Sequence, residues 1–353
     1  MFNYHLTYIW LDADQILRQK VRILEQETTL NLNDVPIWNF DGSSTGQATR
    51  KNSEVLLVPC RLYRLPETNK TYDLFYVLSE CCVATENGIN VPHPTNHRYN
   101  AQTIFNKIKD SDTFENYFKP WFGIEQEFFI IDPKTNLPVD YNPSEKQGKY
   151  YCASDSNLND MVDMMMLCSR EIGINVVGYN TEVAPGQAEL QLLGQGLKAC
   201  DDLIIMRYII IQIAKKYGYQ ISFHPKVLKG DWNGSGAHVN YSTLQMRDPT
   251  HGNTNGLTDS YAHIMYAISK FDENHQKHIA VYGEDNELRL TGKHETSDIN
   301  TFTYGIANRG CSIRIPNMTH HQRYGYIEDR RPSSNFNPYL VLPLIFETSV
   351  EDL

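Results

Sequence analysis

The sequence has no excess of basic charge. Its 353 residues carry 42 acidic and 32 basic side chains, a formal net charge of −10, so no positive field is available to draw in a nucleic-acid backbone. Long apolar runs are missing as well. The longest, residues 203–214, is broken by Arg207 and Gln212, and the opening Met1-Phe2-Asn3-Tyr4-His5 has no basic stretch leading into an apolar one. A membrane span or secretory leader is therefore not expected, and the chain reads as cytosolic. Cysteine is scarce: seven in all, with Cys81 and Cys82 adjacent and no C-x-x-C spacing. That pattern suits reduced structural thiols rather than disulfides or a zinc site. No internal repeat or low-complexity tract occurs, and without G-x-x-x-x-G-K-[ST] any nucleotide must be held other than by a P-loop.

What is present is enough chain for one large or two unequal domains. Residues 4–11, 20–27, 54–61 and 72–84 are strand-like, with turn residues between them and little helix. The segment Val91-Pro92-His93-Pro94 breaks this pattern, placing a small β-rich domain at 1–94 and a larger one at 95–353. Helices are expected at 97–109, capped by Thr95 or Asn96, and near 156–172, 197–217 and 258–277. In the second of these, Met161 and Met165 share helical spacing with Leu158 and Val162 and read as core filling. The expected class is α+β.

The stretch from Trp121 to Ile131, bounded by Pro120 and Asp132-Pro133, is rich in β-branched and aromatic residues and reads as a largely buried strand. Alternation puts Glu125 and Glu127 on one face, roughly 6.5–7 Å apart at Cα. Such a pair is repulsive unless a positive group sits between or above it. Taken alone, it reads as the polar half of an exposed face.

A second acidic element follows at Gly178–Gln191. With Pro185-Gly186 as the tip of a hairpin, Val183 stands opposite Ala188 and Glu182 opposite Glu189, and symmetrical widening of the tip keeps these partners. In Lys229–Ser242, glycines 230, 234 and 236 suit close approach of backbone to a ligand, and His238, Asn240 and Ser242 share a strand face. In Gly325–Pro332, Tyr326, Glu328 and Arg330 do the same. Glu125, Glu127, Glu182, Glu189, Glu328 and His238 thus form an oxygen-rich set suited to Mg²⁺ or Mn²⁺, large enough for more than one ion. Arg289, Arg309, Arg314 and Arg330 match it, since guanidinium groups recognise carboxylate and phosphate. Acidic metal ligands beside arginines point to phosphoryl transfer.

Two patterns are set aside. Gly194-Gln195-Gly196-Leu197-Lys198-Ala199 loosely matches a dinucleotide-binding turn, but no acidic residue follows about twenty positions on. His275-x-x-His278 reads as the solvated face of a polar helix.

Together these residues resemble glutamine synthetase, of the shorter eukaryotic-like type II group, from Tyr8 to about Asn337. The matching motifs are Trp38-Asn39-Phe40-Asp41-Gly42-Ser43-Ser44-Thr45, Glu125-Gln126-Glu127, Asn180-Thr181-Glu182-Val183 with Pro185-Gly186-Gln187, and Trp232 to His238. They continue with Leu290-Thr291-Gly292, His294-Glu295-Thr296-Ser297, Asn308 to Pro316 and Glu328-Asp329-Arg330-Arg331-Pro332. Ala188 and Gly310-Cys311 depart from the family's usual residues but remove no ligand.

The resemblance implies a small N-terminal β-grasp domain, a larger catalytic domain with a curved antiparallel sheet flanked by helices, and a homo-oligomer of two stacked pentameric rings with shared active sites. It implies ATP as co-substrate, two to three Mg²⁺ or Mn²⁺ ions per site, and glutamate and ammonium as the molecules joined. The six acidic and histidine residues named above would be the metal ligands, with Glu189 also facing the nucleotide. Asn233, Gly234, Arg289 and Arg330 would meet glutamate; Asn240, Ser242, Arg314 and Tyr326 would meet the nucleotide; Arg309 would meet the phosphoryl group and nucleotide. Asp41 would bind ammonium and take its proton, and Glu295 would be the carboxylate of a closing flap. A relative using a larger amine and an inactive relative are the alternatives; Asp41 and Glu295 argue for ammonium, the full ligand set for activity.

Overall fold

The protein is described by a computed structural model covering residues 2–66, 71–85, 90–109 and 112–353. It contains two compact units, Met1–Thr103 with Arg170–Ile174 and Ile104–Ser169 with Asn175–Leu353.

Period-two alternation makes the first unit a sheet. Strands β1 (Phe2–Leu11), β2 (Leu17–Gln26), β3 (Trp38–Asp41), β4 (Glu54–Arg64) and β5 (Asp73–Ala84) lie in the order β2-β1-β5-β4-β3, with β6 (Asn90–Pro92) on β5. β1 runs parallel to β5 and the other pairs are antiparallel. Tyr4, Leu6, Tyr8 and Trp10 of β1 close a core with Val55, Leu57, Phe75 and Val77. Asp41 ends β3 and caps the turn after it, accepting from Ser43 N at 2.9 Å and Ser43 Oγ at 2.7 Å. The Ser43 hydroxyl and amide hold its carboxyl below the usual range.

Helix α1 (His97–Phe105) starts at Asn96, whose side chain accepts from Tyr99 N at 3.2 Å. It ends four residues before the expected 109. Phe105 is its last buried residue, stacking on Phe346 at 5.4 Å, whereas Ile108 is exposed. Residues Ile108–Lys109 (β7) pair instead with Asp112–Thr113 (β8), ahead of α2 (Phe114–Phe118).

The second unit is built on β9 (Trp121–Asp132), the strand expected at 121–131. After β10 (Leu137–Pro138), α3 (Asn159–Glu171) buries Met161, Val162 and Met165. Then come β11 (Val176–Thr181), β12 (Gln187–Gln195), α4 (Gly196–Lys216), β13 (Gln220–Ser222), β14 (Ala237–Ser242), α5 (Leu244–Arg247), α6 (Ser260–Glu273) and α7 (His275–Ile279). β15 (Tyr304–Ile306), β16 (Ile313–Ile315), α8 (Asn317–Gln322), β17 (Ile327–Asp329) and α9 (Pro338–Ser349) complete the unit. The sheet order is β11-β12-β9-β14-β17-β16-β15, with β10 and β13 also on β9, and every pair but β15–β16 is antiparallel. The mixed α+β class is as expected.

Helix α4 is buried along most of its length. Its Arg207 donates to Gln126 Oε1 at 2.8 Å, Phe336 O at 2.8 Å and Ser334 O at 2.9 Å. Gln126 is the residue of β9 that points away from the glutamate face, so this guanidinium, its pKa lowered to about 9 by burial, ties the strand to the helix behind it. No helix among the described residues is long and apolar enough to cross a membrane, and the seven cysteines are all thiols.

The His275/His278 pair is not a solvated face. His278 is fully buried between Tyr282 Oη and Thr348 Oγ1, and His275 bonds Ile299 O at 2.9 Å and Arg331 Nη1 at 3.0 Å. Burial, then the Arg331 charge, pushes His278 down to about 3, so it is a neutral packing group. At their centre Arg331, itself fully buried, forks onto Asp329 at 2.9 and 2.7 Å, and Tyr282 Oη donates to the same carboxylate at 2.6 Å.

Candidate active site

Register decides which carboxylates meet. β9 is flanked by β12 and β14, with Glu127 opposite Glu189 and Glu125 opposite both Gln191 and His238. Asn240 stands between Gly123 and Glu328. The expected pairing of Glu182 with Glu189 is not formed: Asn180 faces Glu189, and Glu182 N instead donates to Gln187 O at 2.9 Å. The tip is a tight turn in which Gln187 N reaches Ala184 O at 3.3 Å and Gly186 has φ +69°, the type II geometry that Pro-Gly favours. Glu182 and Val183 are extra residues on one side only, so the loop is asymmetric and the register slides by two. Gly186 cannot carry a side chain, since a Cβ would come within 2.8 Å of Val139 N.

The six ligand candidates sort into two groups of three. Glu125, His238 and Glu328 form one; Glu127, Glu182 and Glu189 form the other; in each, the potential ligand atoms lie within 4.8 Å of one another. Glu125 and Glu127, side by side on β9, therefore belong to different groups. Burial, followed by the charge of Glu182, pushes Glu127 up to about 8. Burial, then Glu125, raises Glu189 well above the carboxylate range, and burial raises Glu182. Burial, then Arg330, pushes His238 far down, leaving a neutral imidazole able to ligate. Carboxylates that cannot all ionise together, beside a neutral imidazole, are a donor set that fits hard divalent cations.

One open cleft of about 460 Å³ is lined by Glu125, Glu127, Glu182, Glu189 and His238 together with Asn233, Gly234, Arg289, Glu295, Arg309 and Arg330. Arg289 is held by backbone: its Nη2 donates to Arg330 O at 2.8 Å and its Nη1 to Arg331 O at 3.3 Å. Gly236 makes room for it, as a Cβ there would stand 2.5 Å from Nη2. Arg330 pairs with Glu328, which also receives Arg314 Nη1 at 2.7 Å. Arg309 meets Glu295 at 3.0 Å.

Four of the expected nucleotide residues do not line that cleft. Asn240 Nδ2 donates to Glu125 Oε1 at 2.8 Å, fixing that carboxylate. Ser242 is buried beside Arg247 Nη1 at 3.2 Å through its carbonyl, Tyr326 is 44% exposed, and Arg314 is engaged with Glu328. Asp41 lies in the first unit. The cleft also includes three side chains that carried no expected role: Gln187, His294 and Thr296. Gln187 Nε2 donates to Glu127 Oε2 at 2.9 Å and Gly234 O at 3.0 Å. Its signal was available, because Gln187 shares the period-two face of Glu189.

A model of the family described as glutamine synthetase, catalytic domain, matches residues 95–351. The chain is 43% identical to a protein of Acanthamoeba polyphaga mimivirus over 98% of its length and 94% of the relative. It is 41% identical to the glutamine synthetase of Amanita muscaria, over 99% of this chain and 94% of that one, and 41% identical to that of Yarrowia lipolytica, over 97% and 89%. With a cleft lined by acidic groups and arginines, the chain belongs to the glutamine synthetase family.

Proposed function

We propose that the protein is an ATP-dependent ligase that condenses L-glutamate with ammonium to L-glutamine through γ-glutamyl phosphate, releasing ADP and phosphate. The observation that carries this reading is the cleft itself: five of the six candidate metal ligands line it with Arg289, Arg309 and Arg330, and the sixth, Glu328, completes one of the two groups of three. A carboxylate is a poor electrophile, and phosphorylation converts its oxygen into a leaving group.

Glu125, His238 and Glu328 would hold one divalent cation and Glu127, Glu182 and Glu189 another, Mg²⁺ or Mn²⁺ by ligand type. When bound, these ions polarise phosphate and carboxylate oxygens. Arg289 and Arg330, fixed by backbone carbonyls, present guanidinium groups to the glutamate substrate, with Asn233 and Gly234 beside them. Arg309, half-exposed and paired with Glu295, is free to swing to the transferred phosphoryl group. Arg314, Tyr326, Asn240 and Ser242 are assigned to the nucleotide side, with Glu189 and Arg309 reaching it from the cleft. Glu295 accepts a proton as the amine adds, and its segment keeps water from the acyl phosphate. Asp41 of a neighbouring copy would bind ammonium, which calls for a homo-oligomer; we assign it as a decamer of two stacked rings, in the cytoplasm.

The test is phosphate release by the purified protein with Mg²⁺ and ATP, with and without glutamate, adding ammonium or a panel of larger amines. Release that requires glutamate and ammonium and yields glutamine supports the reading. Preference for another amine, or no release with Mn²⁺ supplied, defeats it.

A further inference from the structure

The segment that carries Glu295 holds a conformation its own backbone disfavours. His294 and Glu295 lie consecutively in the left-handed region, at φ 54° and 61°, which side-chain-bearing residues keep only where their surroundings enforce it. The two are the central pair of a tight turn that Thr296 N closes onto Lys293 O at 3.2 Å, and a ring of hydrogen bonds ties that turn to the neighbouring loops. Asn233 N donates to Gln147 Oε1 at 2.8 Å, Gln147 Nε2 stands 3.4 Å from His294 Nδ1, and His294 Nε2 lies 3.2 Å from Asp231 Oδ1. Because the Gln147 oxygen takes an N–H, its nitrogen must face His294, so Nδ1 accepts and Nε2–H donates to Asp231. Asp231 and Asn233, two residues apart, close the ring. On the other side, Glu295 O accepts from Arg330 Nη2 at 3.2 Å.

We propose that Gln147 and His294 are positioning residues that latch the Glu295 segment to the backbone of Asn233, so that the loop meeting the amino-acid substrate also holds that segment against the cleft and limits the entry of water. The proposal rests on the ligase reading above. With the latch made, ammonia adds to the acyl carbon of γ-glutamyl phosphate, the C–N bond forms, the C–O bond to phosphate breaks with its electron pair, and the lost proton passes to Glu295. With it broken, water adds to the same carbon and the same C–O bond breaks. Glutamate and phosphate are returned, and ATP is consumed without product.

The experiment compares the full-length wild type with Gln147→Leu, His294→Phe and the double variant. Two quantities are read: glutamine formed per phosphate released at saturating substrates, and the rate of tryptic cleavage after the exposed Lys293. Each single variant should lower the glutamine-to-phosphate ratio at least about twofold and speed cleavage about tenfold, while Mn²⁺ affinity stays within about threefold. The double variant should be no worse than the worse single, because both cut one link. Folded variants that keep the wild-type ratio and cleavage rate overturn the latch; so do additive effects. If Gln147→Leu does not fold, His294→Phe, which preserves ring volume, decides. A wild type that releases no phosphate overturns the ligase reading and the coupling role with it, whereas unchanged proteolysis overturns the latch alone.

Discussion

Glu189 of β12 stands directly across from Glu127 of β9 in an antiparallel register, and both are buried. Like charges so placed are tolerable only protonated or bridged by a cation. Replacing Glu189 with Gln should therefore stabilise the metal-free protein at pH 8, by about 1–2 kcal/mol or several degrees of melting temperature, while lowering metal-dependent phosphate release on the order of 100-fold. Calorimetry and the release assay check the two halves; a destabilised metal-free variant would refute the like-charge account.

Stability should depend on pH in opposite ways with and without metal. Glu127 is pushed from 4.5 up to about 8 by burial and Glu182. Its contribution is thus fully present below pH 4.5 and lost as pH rises through about 8. A cation takes the proton's place and favours the ionised form. The gain in melting temperature on adding Mg²⁺ to chelator-treated protein should be larger at pH 8 than at pH 6, and an equal gain would count against this.

Gly236→Ala should displace Arg289 while keeping the amide N–H that Gly236 donates to Glu127 Oε2 at 2.8 Å. The new Cβ would stand 2.5 Å from Nη2, forcing the guanidinium off Arg330 O. The KM for glutamate should rise about 10-fold or more, with Mn²⁺ affinity nearly unchanged. Steady-state kinetics against a Mn²⁺ titration would show it.

Asp329→Asn should be costly to folding. It leaves the fully buried Arg331 without its charge partner, a loss of about 3–5 kcal/mol. Urea unfolding reads this directly, and a change under about 1 kcal/mol would mean that Tyr282 and His275 suffice.

The glutamate face of β9 was legible because alternation is a property of the backbone, and the buried strand announced itself through its β-branched and aromatic residues. The two-residue slide of the β11–β12 hairpin was not, because Pro185-Gly186 specifies a turn but not on which side spare residues accumulate. Burial of His275 and His278 depends on Arg331, Ile299 and Thr348, distant in sequence, so a local polar stretch misleads. Helix α9 escaped notice for a different reason: it is apolar on most faces and carries Pro343 inside, leaving no clear helical period. The Gln147–His294 contact has no sequence signal.

The strand β9 has neighbours on both edges, and Arg207 grips Gln126 from behind. The distance between its two glutamates is consequently a property of the pleat, not of a loop that can breathe. Glu125 and Glu127 belong to different groups of three, so the pleat sets the spacing of two ions, and this double site selects by radius. It should favour a small octahedral ion, with oxygen distances of roughly 2.0–2.1 Å, over Ca²⁺, whose roughly 2.3–2.6 Å bonds call for a larger and more flexible cage. Competition of Ca²⁺ against Mg²⁺ in thermal melting measures how stiff that gauge is, and equal potency would show that the sheet yields.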